Sequence, residues 1–599
     1  MSDGKDAAED GGNRPPFAVG IDLGTTHCAM ACVAIDGEEP PETMEITQVV
    51  DAGQSQAEEL VPSFMYLPNE HEFGAGSFAL PWGDNTEYTV GRFARTHGAK
   101  VPDRLVTSAK SWLSHDGVDR TSALLPWGAT EEVAKVSPVE ASSRYLKHLV
   151  AAWKNTQPDA GDLRDQQVVL TVPASFDAVA RDLTVQAAKS AGLDRPVLLE
   201  EPQAALYAWL DDQGETWRNQ LSEGDVVLVC DIGGGTTDFS LIAIEEEGGE
   251  LALHRVAVGD HILLGGDNMD LALAYSVRQQ LQKDQGVKLD SWQTQALTQG
   301  CRVAKEVLLS EPDRESYPLV VPSRGSRLIG GTIRAELTSQ QVTALLVEGF
   351  FPECAVTDRP REARRLGLAE MGLPYEADAG ITRHLAYFLT RHKDDEAGGN
   401  FLHPTAVLFN GGVLKADPIR ERVTAVIDQW LTAEGHDGIR VLDSNSLDVS
   451  VARGAAYFGR VKQGGGIRIR GGIARSYYIG VEQAMPAVPG FEPPLMAVCL
   501  APFGLEEGST VELSEHEFGL YVGEAAHFRF FASSVRQSDA PGVTLEDWDE
   551  EEIEELPPIE ASLPVEKGQT AGQRIPVTLC CEVTEIGTLL LSCEEQGGD

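Results

Sequence analysis

The chain has 599 residues, with 48 Lys and Arg against 93 Asp and Glu, giving a formal net charge of −45. A chain this long exceeds a single hydrophobic core, so several domains are expected. The acidic balance excludes a protein that coats nucleic acid, which needs clustered Lys and Arg, but it leaves room for one nucleotide held by backbone amides and a cation.

Residues 1–15 are acidic and rich in Gly and Pro, and they read as a disordered tail with neither the basic start nor the apolar centre of a signal peptide. Residues 17–35 read as strand–turn–strand. A helix is expected over 102–115, with Leu105, Ala109, Trp112 and Leu113 on one face. Val168–Val172 is a short buried strand stopped by Pro173, and a helix follows from Ala178 to Ala191. "PVLLEEPQAALYAWL" (196–210) reads as a strand, a turn at Glu201-Pro202 and a helix. A second half repeats this grammar: a hairpin over 226–243, a strand over 252–258, a Gly-Gly turn and helix in "LLGGDNMDLALAYSV", and a helix in "ALTQGCRVAKEVLLS". The strand "TAVLFNGGVL" and the small-residue helix "VARGAAYFGRV" complete it. Strands alternating with helices imply an α/β architecture of two related lobes over residues 16–462.

The texture changes at 463–472, a Gly/Arg linker. Beyond it, over 473–599, short strands such as "SYYIGV", "LMAVCL", "HFRFFA" and "IPVTLCCEV" are spaced as in an antiparallel β-sandwich. The acidic stretch 546–558 reads as a solvated loop, with partner docking as the sharper alternative. No apolar run reaches the ~18–20 residues of a membrane helix. The nine cysteines are scattered without a C-x-x-C, so they read as free thiols of a reducing cytoplasm and give no zinc pattern.

Two stretches carry the chemistry. "VGIDLGTTHCAM" (19–30) and "VCDIGGGTTDFS" (229–240) each run an apolar strand into Asp, then Gly, then Thr-Thr. Bare glycines after a strand present successive N–H groups to an anion with no Cβ in the way. Carboxylates at Asp22, Asp231 and Asp238 would repel a phosphate unless a divalent cation lay between, and Mg²⁺ binds through a few carboxylates, retained waters and phosphate oxygens. The pattern G-x-x-x-x-G-K-[ST] is absent, which excludes a P-loop NTPase.

These two motifs resemble the phosphate motifs of the actin, sugar-kinase and heat-shock ATPase superfamily, and "LFNGGV" is similar to its adenosine motif. "VVLTVPASFDAVARDLTVQAAKSAGL" and "LLEEPQAALYAWL" resemble the DnaK-type heat-shock protein 70 chaperones in particular, which disfavours a sugar kinase. The resemblance covers residues 17–462 well and the rest loosely. It implies an actin-like ATPase domain that binds ATP or ADP with Mg²⁺ through Asp22 and Asp231. Gly24, Thr25, Thr26, Gly233, Gly234, Gly235, Gly265 and Gly266 would surround the phosphates. It assigns Lys110, Glu201, Thr236 and Asp238 to hydrolysis, with structural capping equally open for Asp238. Lys305, Gly411, Gly412, Lys415 and Asp448 fall to the nucleoside side. Pro173 and Arg181 match a relay to the second domain.

The nucleoside side departs from the family. Val413 and Lys415 stand where a small polar residue and a stacking arginine are usual, Arg302 replaces a glutamate, and 352–400 resembles an insertion. Lysine offers no planar guanidinium to an adenine. No lid-like helical segment follows the sandwich, so a divergent lidless member is expected. The implied function is an ATP-dependent cytoplasmic chaperone coupling hydrolysis to polypeptide binding, with co-chaperones as further partners. The alternative is a nucleotide-dependent scaffold or regulator that binds one dedicated partner.

Overall fold

The computed structural model describes residues 15–595 except 248–249, 312, 322–332, 363–371, 394–398, 464–468, 471, 474, 484–493, 507, 514–517, 524, 550–551, 563–564, 566–572 and 585–587. The expected tail, apart from Pro15, and most of the 463–472 linker lie outside the described residues.

The first lobe is built on β1 (Phe17–Leu23), which makes an antiparallel hairpin with β2 (His27–Ala34). On its other side β1 pairs in parallel with β3 (Gln167–Val172), and β3 with β4 (Val197–Glu200). Two short strands, Glu42–Thr43 and Leu60–Pro62, extend the sheet from β2. β3 and β4 read as continuous apolar runs because helices and the second lobe cover both faces. α1 (Ala109–Leu113), α2 (Ala178–Ser190) and α3 (Glu201–Gln213) belong to this lobe.

The second lobe repeats the plan. β5 (Val226–Ile232) pairs antiparallel with β6 (Thr237–Glu247), which pairs with β7 (Glu250–Val258). α4 (Gly266–Gln285) and α5 (Ser291–Ser310) follow. β8 (Ala406–Asn410) joins β5 in parallel, α6 (Asp417–Ala433) crosses over, and β9 (Arg440–Leu442) pairs with β8. The central strand of each lobe therefore has a hairpin on one side and parallel neighbours on the other. In both hairpins the aspartate lies near the turn, Asp22 opposite Ala29 and Asp231 opposite Asp238.

The lobes meet through α3 and α7 (Ser450–Lys462), whose buried Leu206, Trp209, Ala455 and Phe458 share one cluster with Val169 of β3 and Val227 of β5. Close approach demands small residues here: a Cβ at Gly454 would fall 2.9 Å from Ala208 N and overlap the Ala204 carbonyl.

Beyond α7, β10 (Ile469–Arg470) adds to the second lobe's sheet beside β7. A five-stranded antiparallel sheet contains β11 (Ser476–Glu482), β12 (Leu495–Ala501), β15 (Ala525–Ser533), β16 (Thr544–Leu545) and β17 (Glu554–Ser562). A four-stranded one contains β13 (Thr510–Glu512), β14 (Phe518–Tyr521), β18 (Arg574–Val583) and β19 (Leu589–Glu595). Ile479 and Val498 of the first sheet share a core cluster with Leu579 and Cys581 of the second.

Three expectations are corrected. Residues 102–115 are not one helix: a 3₁₀ turn at Pro102–Arg104 and a two-residue strand precede α1, and Ser108 sits at φ 53. That left-handed residue breaks the helix one position before it starts. Glu201-Pro202 forms no separate turn; α3 begins at Glu201, with Pro202 in its first turn where no N–H is needed. The acidic stretch is not all loop, because Glu554 onward is β17, with Leu556 opposite Phe530 and Glu555 taken by Arg529 at 2.7 and 2.8 Å. The segment read as an insertion supplies a helix, Ile381–Arg391, whose Ile381, Leu385 and Phe388 join the second lobe's core.

Candidate functional site

A cavity of about 510 Å³ opens where the two hairpin turns meet. Its wall includes Asp22, Gly24, Thr25, Thr26, Lys110, Glu201, Asp231, Gly233, Gly234, Thr236, Gly266, Lys305, Gly411, Gly412, Lys415 and Asp448. Gly235, Gly265 and Asp238 are not in that wall. Gly235 and Gly265 sit close beside it: a Cβ on Gly235 would lie 2.6 Å from Ser111 Oγ, and one on Gly265 would lie 2.7 Å from the Gly233 carbonyl.

The turns touch each other, since a Cβ on Gly234 would overlap Thr26 Oγ1. Gly411, at φ +89, takes the chain from β8 toward α6 with no room for a side chain, because a Cβ would lie 2.6 Å from Asp231 Oδ1. Both constraints keep backbone rather than side chains at the cavity surface.

The acids, half-buried Asp22 and buried Asp231 and Asp238, are poorly compensated. Burial pushes Asp22 up from the ordinary 3.8 to about 7, with Lys110 pulling the other way and Glu201 adding to the rise. Its Oδ1 accepts from Thr171 at 3.2 Å. Burial also holds Asp231 well above the usual carboxylate range, assisted by the charge of Glu201, although Asn410 donates to it at 2.8 Å. Ser450 in turn fixes Asn410 at 2.9 Å. Burial raises Asp238 to about 7, partly offset by the Ser175 hydroxyl that donates to it. Lys110 opposes these acids. Burial would lower it, but Glu201, with which it forms an ion pair, and Asp22 hold it above its ordinary value.

Of the residues that the resemblance assigns to a nucleoside, Lys305 is engaged by Asp270 at 2.7 Å and by the Gly266 carbonyl at 3.1 Å. Arg302, the departure from the family pattern, is buried between Asp267 and Asp270, 2.6 Å from the latter. It therefore neutralises the acids of the α4 start. Lys415 pairs with Asp448 at the cavity wall. The two lobes also join across the cleft, with Arg95 bound to Glu306 at 2.5 Å and Ser108 donating to Asp267 at 2.6 Å.

The sequence reading missed several of these groups. Asp267 and Asp270 had a signal, the i, i+3 spacing at the start of a helix. His261 had none. Its ring lies between Ser175 Oγ at 2.7 Å and Ser114 Oγ at 2.9 Å, so a hydrogen-bonded chain runs from Ser114 to Asp238. Burial lowers His261 to about 4, which leaves the ring neutral.

The donor set fits a magnesium-bound nucleotide. Raised carboxylates at Asp22 and Asp231 invite a cation, glycine turns bring bare backbone to the cavity wall beside them, and buried Ser111 Oγ has no hydrogen-bond partner among the described residues.

A duplicated α/β core with a polar cavity between its paired hairpins defines a class of two-lobed protein. The Hsp70 protein family model matches residues 18–348, a little over half of the chain. The chaperone protein DnaK of Stenotrophomonas maltophilia (strain R551-3) is 30% identical over 306 residues, covering 50% of this chain and 43% of the relative. The chain belongs to the heat-shock protein 70 family, and its match spans less than half of that relative's length. Among the described residues no helix is long and apolar enough to cross a membrane.

Proposed function

We propose that the protein is an ATPase whose two-lobed domain, residues 16–462, controls polypeptide binding by a C-terminal β-sandwich, as a chaperone. The observation that carries this reading is the pair of under-neutralised carboxylates, half-buried Asp22 from one lobe and buried Asp231 from the other, at one glycine-lined cavity.

Asp22 and Asp231 would hold Mg²⁺, and Thr25, Thr26 and the Gly233–Thr236 turn would surround the phosphates. The bound magnesium nucleotide would supply a scissile phosphoanhydride. Lys110 offsets negative charge at the reacting end, and Glu201, fixed by Lys110, orients water. Positioning and charge neutralisation of this kind supply most of the acceleration of phosphoryl transfer. Asp238, outside the cavity wall and bound to Ser175, supports the hairpin beneath Thr236.

The coupling to the sandwich runs through buried groups. Glu200, at the end of β4, accepts from Arg181 at 2.8 Å and from Arg255 of β7, and Arg255 also donates to the Gly472 carbonyl. Gln537, in the loop between β15 and β16, donates to the Val256 carbonyl at 2.8 Å. A shift between the lobes would thus be felt at the linker.

The test is calorimetry with ATP, with and without Mg²⁺, followed by turnover with generic apolar peptides. Mg²⁺-dependent heat and peptide-stimulated hydrolysis are expected. Binding without peptide response, together with one stoichiometric partner in a pull-down, would establish the dedicated scaffold instead. No heat with either ligand would overturn both.

A further inference from the structure

Away from the cavity, His403, Glu434 and His436 converge, and their ligand atoms all lie within 4.8 Å of one another. The local structure explains why. Helix α6 ends at Ala433, with Glu434 as its C-cap; Gly435 follows at φ +85, and the His436 N–H bonds back to the Leu431 carbonyl at 3.0 Å while the Gly435 N–H bonds to Thr432 at 3.1 Å. This is the paired closure of a Schellman motif, which fixes the residue after the glycine over the last helical turn. Glu434 and His436 are thereby presented together.

His403 reaches them from the segment leading into β8. Its ring lies edge-on to fully buried Phe401 at 4.5 Å and tilted against His436 at 4.0 Å. Its Nε2 is 2.7 Å from Glu434 Oε2. The other carboxylate oxygen, Oε1, accepts from Asn400 at 2.6 Å. A carboxylate thus has one oxygen held by an amide and the other bonded to one imidazole, with the second imidazole close by.

We propose that His403, Glu434 and His436 form a binding site for a d-block divalent cation, with Zn²⁺ the best match. Two imidazoles and one carboxylate suit zinc and its neighbours better than Mg²⁺ or Ca²⁺, which take oxygen ligands. Tetrahedral zinc with bonds of about 2.0–2.1 Å needs ligand atoms roughly 3.3 Å apart. Rotation of His436, which is exposed, closes the remaining gap. On binding, the His403–Glu434 hydrogen bond is replaced by two metal bonds. The nitrogen that binds the ion gives up the proton it donates to Glu434, and the neutral ring carries its proton on Nδ1 instead. The fourth position is left to water.

The consequence is structural. The ion would tie the end of α6 to the start of β8, and β8 ends in Asn410, which holds Asp231. The site stands independently of the nucleotide reading, since it shares no ligand with that cavity.

The experiment uses the full chain, stripped of metal and free of nucleotide and Mg²⁺, titrated with Zn²⁺ against a chromogenic chelator. Thermal melting is followed in parallel. One Zn²⁺ per chain and a raised melting temperature are expected. His403→Ala and His436→Ala should each weaken binding at least ~100-fold and abolish the melting shift, and Asn400→Ala should weaken it about 10-fold as an outer-shell partner. His436 is exposed, so its variant keeps the metal-free melting temperature of the parent. Asp22→Asn should leave the high-affinity zinc binding unchanged. Equal stoichiometry and affinity in the His403→Ala/His436→Ala double variant, or no binding in the micromolar range, would overturn the proposal.

Discussion

Lys110 Nζ donates to the Glu201 carboxylate, joining the first turn of α1 to the first residue of α3 at the wall of the cavity. The lysine is 7% exposed and sits beside Asp22 and Asp231 as well, so it is the cation around which the acids are arranged. Lys110→Ala is expected to reduce ATP turnover by roughly 10²–10³-fold, the range seen when one preorganised charge-stabilising group is lost. Mg²⁺·ATP binding should stay within a few-fold of the parent, because the glycine turns and the two metal-side aspartates are untouched. Single-turnover hydrolysis and calorimetry read the two effects separately. Unchanged turnover would remove Lys110 from the reaction.

What was legible in the sequence was whatever repeated. The two Asp-x-Gly hairpins and the helices around them follow from short-range patterning, and β1, β3, β5 and β8 fall where strand patterns end in Gly or Pro. What escaped depends on distant partners. The short α1 is set by Ser108 at φ 53, whose hydroxyl bonds to Asp267 of the other lobe. The β17 strand was hidden by its charge, since Glu555 looks solvated until Arg529 of β15 is placed opposite it. His261 lies in no pattern at all; only folding puts it between Ser114 and Ser175. The His403, Glu434 and His436 cluster likewise needs the turn at Gly435 before it can be seen.

The raised acids make the nucleotide-free protein sensitive to pH in a defined direction. Asp22 and Asp238 titrate near 7 when folded and near 3.8 when unfolded, so between these values the folded chain holds more protons. Their contribution is complete below about pH 3.8 and is lost as pH rises through 7. Desolvation holds His27 at about 3 and His148, His261 and His392 at about 4; these oppose the acids below their ordinary 6.5, and they are common to parent and variants. The comparison that isolates the acids is therefore the parent against Asp22→Asn/Asp238→Asn without Mg²⁺. The melting temperature of the parent should fall relative to the variant from pH 5 to pH 8. A gap independent of pH would show that these carboxylates are not the groups that titrate.

Arg255 tests the connection between the two lobes and the C-terminal sheets. Its guanidinium is buried, and it binds Glu200 and the Gly472 carbonyl together, next to the parallel pairing of Leu253 with Ile469. Glu200 is held below the usual carboxylate range: burial would raise it, but Arg255 and Arg181 outweigh that. Arg255→Ala leaves Glu200 with Arg181 as its remaining cation, and breaking a buried pair in this way costs about 3–5 kcal/mol. Because the same side chain holds the linker, β10 should detach before the lobes unfold. Tryptic cleavage after Arg470 is then expected to accelerate at least ~10-fold under native conditions, while the nucleotide affinity of the lobes is retained. Arg255→Lys should restore protection only in part, since an ammonium lacks the planar fork that serves both acceptors. Slow cleavage at Arg470 in an Arg255→Ala protein with lowered global stability would assign Arg255 to the core of the lobe and not to the linker.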